Sequence, residues 1–201
     1  MDEKVEKIRE YVKTVFQKSG SHGLDHVIRV TRLCEMIGER EHADKRVLIP
    51  AALLHDIARS LEETKGIPHE EEGARMAEEF LLLIHYDASL IPAIADAIRT
   101  HRYRSEKKPV TPEAKILSDA DKLDAMGATG IARTFMQSGE QHRDMRDSLE
   151  HIDDKLLKLY DLMYTNSARE IARDRHELLR RFAESLREEL ATSDNGEIKK
   201  G

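Results

Sequence analysis

The chain has no tryptophan, one cysteine and few aromatic residues, 4% of its 201 positions. With so little aromatic surface, the core has to be assembled from Leu, Ile, Val and Ala. A lone Cys34 excludes an intramolecular disulfide and any cysteine-based zinc motif. No apolar run reaches the roughly 18 residues of a membrane span, so no membrane association is expected. Sustained apolar/polar alternation and hairpin turns between β-branched runs are missing too, which argues against strands. There is no basic excess: the formal charge is −6, whereas a general nucleic-acid binder carries a basic surface. The start, Met1-Asp2-Glu3-Lys4, opens an amphipathic pattern and not a secretory signal. These absences predict a cytoplasmic globular protein, one domain over 1–191 with a flexible polar tail over 192–201.

What the chain does have is charge, 36% of residues, set against apolar positions at helical period. Val5, Ile8, Val12, Val15 and Phe16 predict a helix over about 3–18, stopped by Ser19-Gly20-Ser21. From His22 to Arg40 the stripe His26, Val30, Leu33, Ile37 turns His26 inward, with His22 one turn earlier. Asp44 is an N-cap for a third helix through Val47 to His55 that is apolar nearly all round, hence central; Pro50 inside it implies a kink or a shifted start. Lys65-Gly66-Ile67-Pro68 breaks the chain, and His69 precedes the next helix. Ile94, Ile98 and His101 share a stripe over 91–101, followed by a basic loop from Arg102 to Thr111. Pro112 starts a helix carrying Leu117, Asp121 and Asp124. Gly127-Ala128-Thr129-Gly130 leads into Ile131–Met136, and two long helices over about 147–164 and 166–190 close an all-α domain.

Three of these helices each aim one or two of His26, His55, Asp56 and Asp121 inward. Any single inward histidine is more often a hydrogen-bonded core residue, but Asp121 on a buried stripe is costly unless paired. Four such residues together favour a metal. Imidazole nitrogens with carboxylates suit Mn, Fe, Co, Ni or Zn more than Ca. A metal with open positions binds an oxyanion and lowers the pKa of bound water toward ~7.

The stretches Ser21-His22-Gly23-Leu24-Asp25-His26-Val27-Ile28-Arg29-Val30, Ala52-Leu53-Leu54-His55-Asp56-Ile57 and Asp119-Ala120-Asp121-Lys122-Leu123-Asp124-Ala125-Met126-Gly127-Ala128 carry a resemblance. Over about residues 20–136 the chain resembles the HD superfamily of metal-dependent phosphohydrolases, in its single-domain bacterial and archaeal branch. Some members of that branch are nucleotide pyrophosphohydrolases. The resemblance implies a compact helical bundle with His26, His55, Asp56 and Asp121 as ligands of one divalent ion, Mg being a further candidate and a second ion left open. Asp121 fits better than Asp119 because the family's aspartate precedes a basic residue, here Lys122. Arg59 stands where some HD nucleotidases have an activating glutamate.

His69 and His101 fall in the order in which two-metal HD proteins add histidines; they are expected to reach a second metal or phosphate oxygens. Lys122, Arg29 and Arg133 are the candidate cations for a phosphoryl group. Asp25 and His22 flank His26 and are candidates to orient it or move protons. Asp56 is placed in the catalytic group as well as among the ligands. The resulting expectation is hydrolysis of a small phosphorylated substrate, most readily a nucleotide. Two alternatives stand beside it: a two-iron HD oxygenase, and a non-catalytic metal- or nucleotide-binding module. Whether the surfaces over 147–190 form a homo-oligomer interface or face solvent is left open.

Overall fold

A computed structural model describes residues 3–16, 23–105 and 107–194, and every regular element among them is helical. In order these are α1 (Glu3–Val15), α2 (Leu24–Arg40), α3 (Lys45–Leu54), α4 (Arg59–Lys65), α5 (His69–Leu83), α6 (Ile91–Thr100), α7 (Pro112–Asp124), α8 (Gly127–Glu140), α9 (Met145–Asp154), a 3-10 helix (Leu156–Leu162) and α10 (Asn166–Asp194). The core is aliphatic, as the composition requires: Ile, Leu, Val and Ala dominate the buried set. No helix among the described residues is long and apolar enough to cross a membrane.

α3 is the centre. Every residue from Val47 to Leu54 is buried, and the helix packs against α1, α2, α5, α6 and α7. Asp44 caps it by accepting from the Arg46 N–H. Pro50 sits inside without breaking it. Proline cannot donate to the carbonyl four residues back, that of Arg46; the Tyr86 hydroxyl donates to that carbonyl instead, at 2.7 Å. α7 starts as expected, with Thr111 accepting from the Ala114 N–H and Pro112 in the first turn. His42, His85 and His142 adopt positive φ just beyond α2, α5 and α8, so three of the ten histidines serve as left-handed helix endings.

Three expectations need correction, and one element is new. The helix predicted over 147–164 is two elements: α9 stops at Asp154, Lys155 leaves helical geometry (φ −122°, ψ −60°) and the chain resumes as the 3-10 helix. The buried stripe Ile152, Leu156, Leu159, Met163 runs through both, so periodicity could not locate the break. The stretch expected over Ile131–Met136 starts earlier and runs further, because α8 begins at Gly127 itself (φ +65°) and continues to Glu140. A Cβ on Gly130 would lie 2.2 Å from the Ala125 carbonyl oxygen, so glycine is what lets α8 follow α7 so tightly. The short α4 was not anticipated. α10 runs to Asp194, past the start of the expected tail; residues 195–201, the Ser19-Gly20-Ser21 stop and His22 lie outside the described residues.

Asp119 fixes the last helix to the bundle. Fully buried on α7, it accepts bonds from the N–H groups of Tyr164 (2.9 Å) and Thr165 (2.8 Å) and from the Thr165 hydroxyl (2.8 Å). Thr165 Oγ1 in turn accepts from the Ala168 N–H in the first turn of α10.

Candidate metal centre

α2 contributes His26, the C-terminal end of α3 contributes His55 and Asp56, α5 begins with His69, α6 ends at His101, and α7 carries Asp121. These helices converge on Asp56, and each face of its carboxylate meets two imidazoles. Oδ2 lies 3.5 Å from His26 Nε2 and 3.8 Å from His55 Nε2. Oδ1 lies 3.3 Å from His69 Nε2 and 3.8 Å from His101 Nε2. Asp121 Oδ1 completes the first face at 3.5 Å from His26 Nε2. His26, His55 and Asp121 thus form one group able to hold an ion, and His55, Asp56 and His101 a second.

The other nitrogen of every ring is tied. His26 Nδ1 meets Asp124 Oδ2 at 2.7 Å, His55 Nδ1 the Ala52 carbonyl at 2.8 Å, and His101 Nδ1 the Ile98 carbonyl at 2.7 Å. His69 Nδ1 lies 2.7 Å from Glu62 Oε2, with Arg59 also close at 3.1 Å. Carbonyls and carboxylates only accept, so the contacts to Asp124, Ala52, Ile98 and, as the closer partner of His69, Glu62 put the proton on Nδ1 and a lone pair on Nε2. His26 Nε2 and His55 Nε2 face each other at 3.2 Å. Two lone pairs at that distance repel unless a cation lies between them. The donor set therefore fits a metal, on this chain's own geometry.

The electrostatics agree. Burial drives the His55 pKa down to about 4, so its imidazole is neutral and able to ligate at physiological pH. His69 is lowered for the same reason. His26 differs: burial opposes its charge, but hydrogen bonds to Asp124 and Asp56 outweigh burial and raise it. A proton and a metal compete for that nitrogen. Asp121 stays ionised; burial pushes its pKa up, but His26, His101 and His55 hold it below the usual carboxylate value.

The structure separates the other expected residues. His69 and His101 reach the centre. Lys122 does not: it is buried on the far side of α7, 3.1 Å from Asp119 Oδ1 and over the Tyr164 ring. Adjacent helical residues point about 100° apart, so following Asp121 in sequence turned it away. Arg29 and Arg133 converge on Asp124 instead of the cavity, at 2.7 Å each. Asp25 is exposed in the first turn of α2. Asp124 and Glu62, which orient His26 and His69, were not singled out from sequence. Asp124 lies one turn after Asp121, so the shared spacing was the available signal.

Over the centre opens a cavity of about 240 Å³ lined by Asp56, Arg59, His69, His101, Arg102, Tyr103, Arg104, Asp121, His151 and Lys155. Arg59 lines it where a glutamate base would stand in some relatives of the resembled kind. His151 and Lys155, from the end of α9, carried no expectation.

The HD domain family matches residues 23–126, the stretch that holds every proposed ligand. The chain belongs to the HD domain family. Bacillus subtilis YpgQ, an uncharacterized protein, is 33% identical over 94% of this chain and 95% of its own. A crystal structure of YpgQ in complex with ADP superposes with a TM-score of 0.77 at 31% identity, covering 92% of this chain and 97% of that one. An HD-superfamily hydrolase from Bacillus thuringiensis superposes with a TM-score of 0.75 at 33% identity, covering 94% and 97%. This HD protein is thus all-helical, stands among HD-superfamily hydrolases, and carries His/Asp groups able to hold a metal.

Proposed function

We propose that this HD protein is a metal-dependent phosphohydrolase acting on a small phosphorylated molecule, a nucleotide in the first instance. The observation that carries the reading is the convergence of four imidazole Nε2 atoms on Asp56, each ring locked through Nδ1. His26, His55, Asp56 and Asp121 would hold the first ion. A divalent ion there supplies a Lewis acid for a phosphoryl oxygen and a water acidified toward neutral pH. Asp124 keeps His26 in the ligating tautomer, and burial keeps His55 free of a competing proton. Nucleotide preference draws on the ADP complex of the similar YpgQ.

Purified protein supplied with Mn, Co or Mg should release phosphate or pyrophosphate from at least one nucleotide. His55→Ala and Asp56→Ala should each reduce that rate by about a thousandfold or more. Full activity in both variants overturns the reading.

A second reading has one observation in its favour. His69, His101 and Asp56 Oδ1 form a second nitrogen/oxygen face, so these residues would hold a second iron beside one held by His26, His55 and Asp121, and such a pair would supply oxygen chemistry. Oxygen uptake by anaerobically iron-loaded protein, with two irons per chain and no phosphate release, would select it.

A further inference from the structure

We propose that Lys155 and Arg104 bind the phosphate groups of the substrate beyond the reacting one, and so select for a polyphosphate chain over a monophosphate. The inference rests on the hydrolase reading above and names the part of the site that recognises the substrate.

The cations near the centre fall into two kinds. Arg29 and Arg133 are bound to Asp124, Lys122 to Asp119, and Arg102 to Glu62 and Glu70. Their charge is spent inside the protein. Lys155 and Arg104 also line the cavity, yet neither forms an ion pair with any described residue, Asp56 and Asp121 included. What holds them is the Tyr103 ring. Lys155 Nζ lies 5.4 Å and the Arg104 guanidinium carbon 5.3 Å from its centroid, and Arg104 Nε donates to the Tyr103 hydroxyl at 2.6 Å. An aromatic ring positions two cations without neutralising them.

Keeping such charges together has a cost. Lys155 is half-buried with Arg104 near it and no carboxylate in contact, and burial lowers its pKa, opposed by the more distant Asp121. A multiply charged anion in the cavity removes that cost, because a cation poorly served by water gains most from a charge-assisted hydrogen bond. Position fits this role. His151 and Lys155 line the cavity over the metal ligands and also two adjoining clefts of about 90 and 470 Å³. A phosphate chain leaving the ligands by either cleft passes Lys155. Arg104 flanks the larger of the two, whose lining also includes Arg143 and the carboxylates Asp147, Glu150 and Asp154. The reacting phosphoryl group would sit among the ligands on the cavity floor and the remaining phosphates beside the two cations.

The test compares Lys155→Gln, Arg104→Gln and charge-keeping Lys155→Arg, with exposed Lys158→Gln on the 3-10 helix that follows Lys155 as control. Two readouts are taken on metal-loaded protein: KM and kcat for a nucleoside mono-, di- and triphosphate, and calorimetric binding of inorganic tripolyphosphate. Lys155→Gln and Arg104→Gln should each raise KM for the triphosphate about tenfold, with a smaller change in kcat, and weaken tripolyphosphate by a similar factor. The ratio of triphosphate to monophosphate kcat/KM should fall with them. Lys155→Arg should recover most of the loss and Lys158→Gln should match wild type. Wild-type hydrolysis with triphosphate KM and tripolyphosphate affinity within twofold in both Gln variants overturns this inference and leaves the hydrolase reading standing. Tripolyphosphate binding that depends on Lys155 in a protein that hydrolyses nothing supports the inference and removes the hydrolase reading.

Discussion

The floor of the cavity and its wall are built on opposite electrostatic rules. On the floor every functional group is already engaged: each imidazole is fixed through Nδ1, Asp124 is held by three partners, and Asp121 stays ionised because histidines surround it. On the wall, Lys155 and Arg104 carry charge that no described carboxylate neutralises, and only Tyr103 restrains them. The difference follows from what each must bind. A metal ion demands fixed donors at short range, and misplacing one loses affinity steeply. A flexible phosphate chain demands unsatisfied positive charge, and Arg29, Arg133 and Lys122 cannot supply it because they stabilise the floor.

The largest effect that tests this contrast belongs to Asp124. Asp124→Ala frees His26 from its orienting partner and leaves Arg29 and Arg133 without their shared carboxylate. Metal affinity should fall by about 10- to 100-fold in Mn calorimetry, with a lower melting temperature. Unchanged affinity would show that the floor does not depend on this lock.

A pH experiment sharpens the comparison at intermediate size. The folded pKa of His55 is about 4, below its unfolded value near 6.5. Between those limits the unfolded chain takes up the proton that folded His55 refuses. The stabilisation is therefore fully present above pH ~6.5 and is lost as pH falls through the folded value. NMR titration should find the ring neutral down to about pH 4. Titration near 6.5 would contradict the burial argument.

The smallest expected effect is at Lys122. Lys122→Met leaves buried Asp119 with its hydrogen bonds from Tyr164 and Thr165 but without its ammonium partner. Stability should fall by about 2 kcal/mol in urea unfolding, with a much smaller change in triphosphate KM than Lys155→Gln produces. The reverse ranking would move the phosphate site back to α7.

How much of this could be read from sequence divides along the same line. His26, His55 and Asp121 were legible because each sits on an apolar helical stripe, where an inward polar residue stands out. The all-helical class was legible from the same periodicity. Lys122 misled because sequence adjacency is not spatial adjacency on a helix. Lys155 was invisible for another reason: nothing at 154–156 breaks a helix by composition, and the apolar stripe continues across the change from α9 to the 3-10 helix. The wall also depends on Tyr103 and Lys155 meeting across 52 positions of chain, which no local pattern encodes.

The bonds that Asp119 makes set a limit on how this protein can be shortened. The family match stops at 126, but a fragment cut there, or at 140, would lack Tyr164 and Thr165. The fully buried Asp119, two positions from the proposed ligand Asp121, would then keep only Lys122 as partner. The segment beyond the family match is thus a rivet through α7, and the folding unit is longer than the motif that names it.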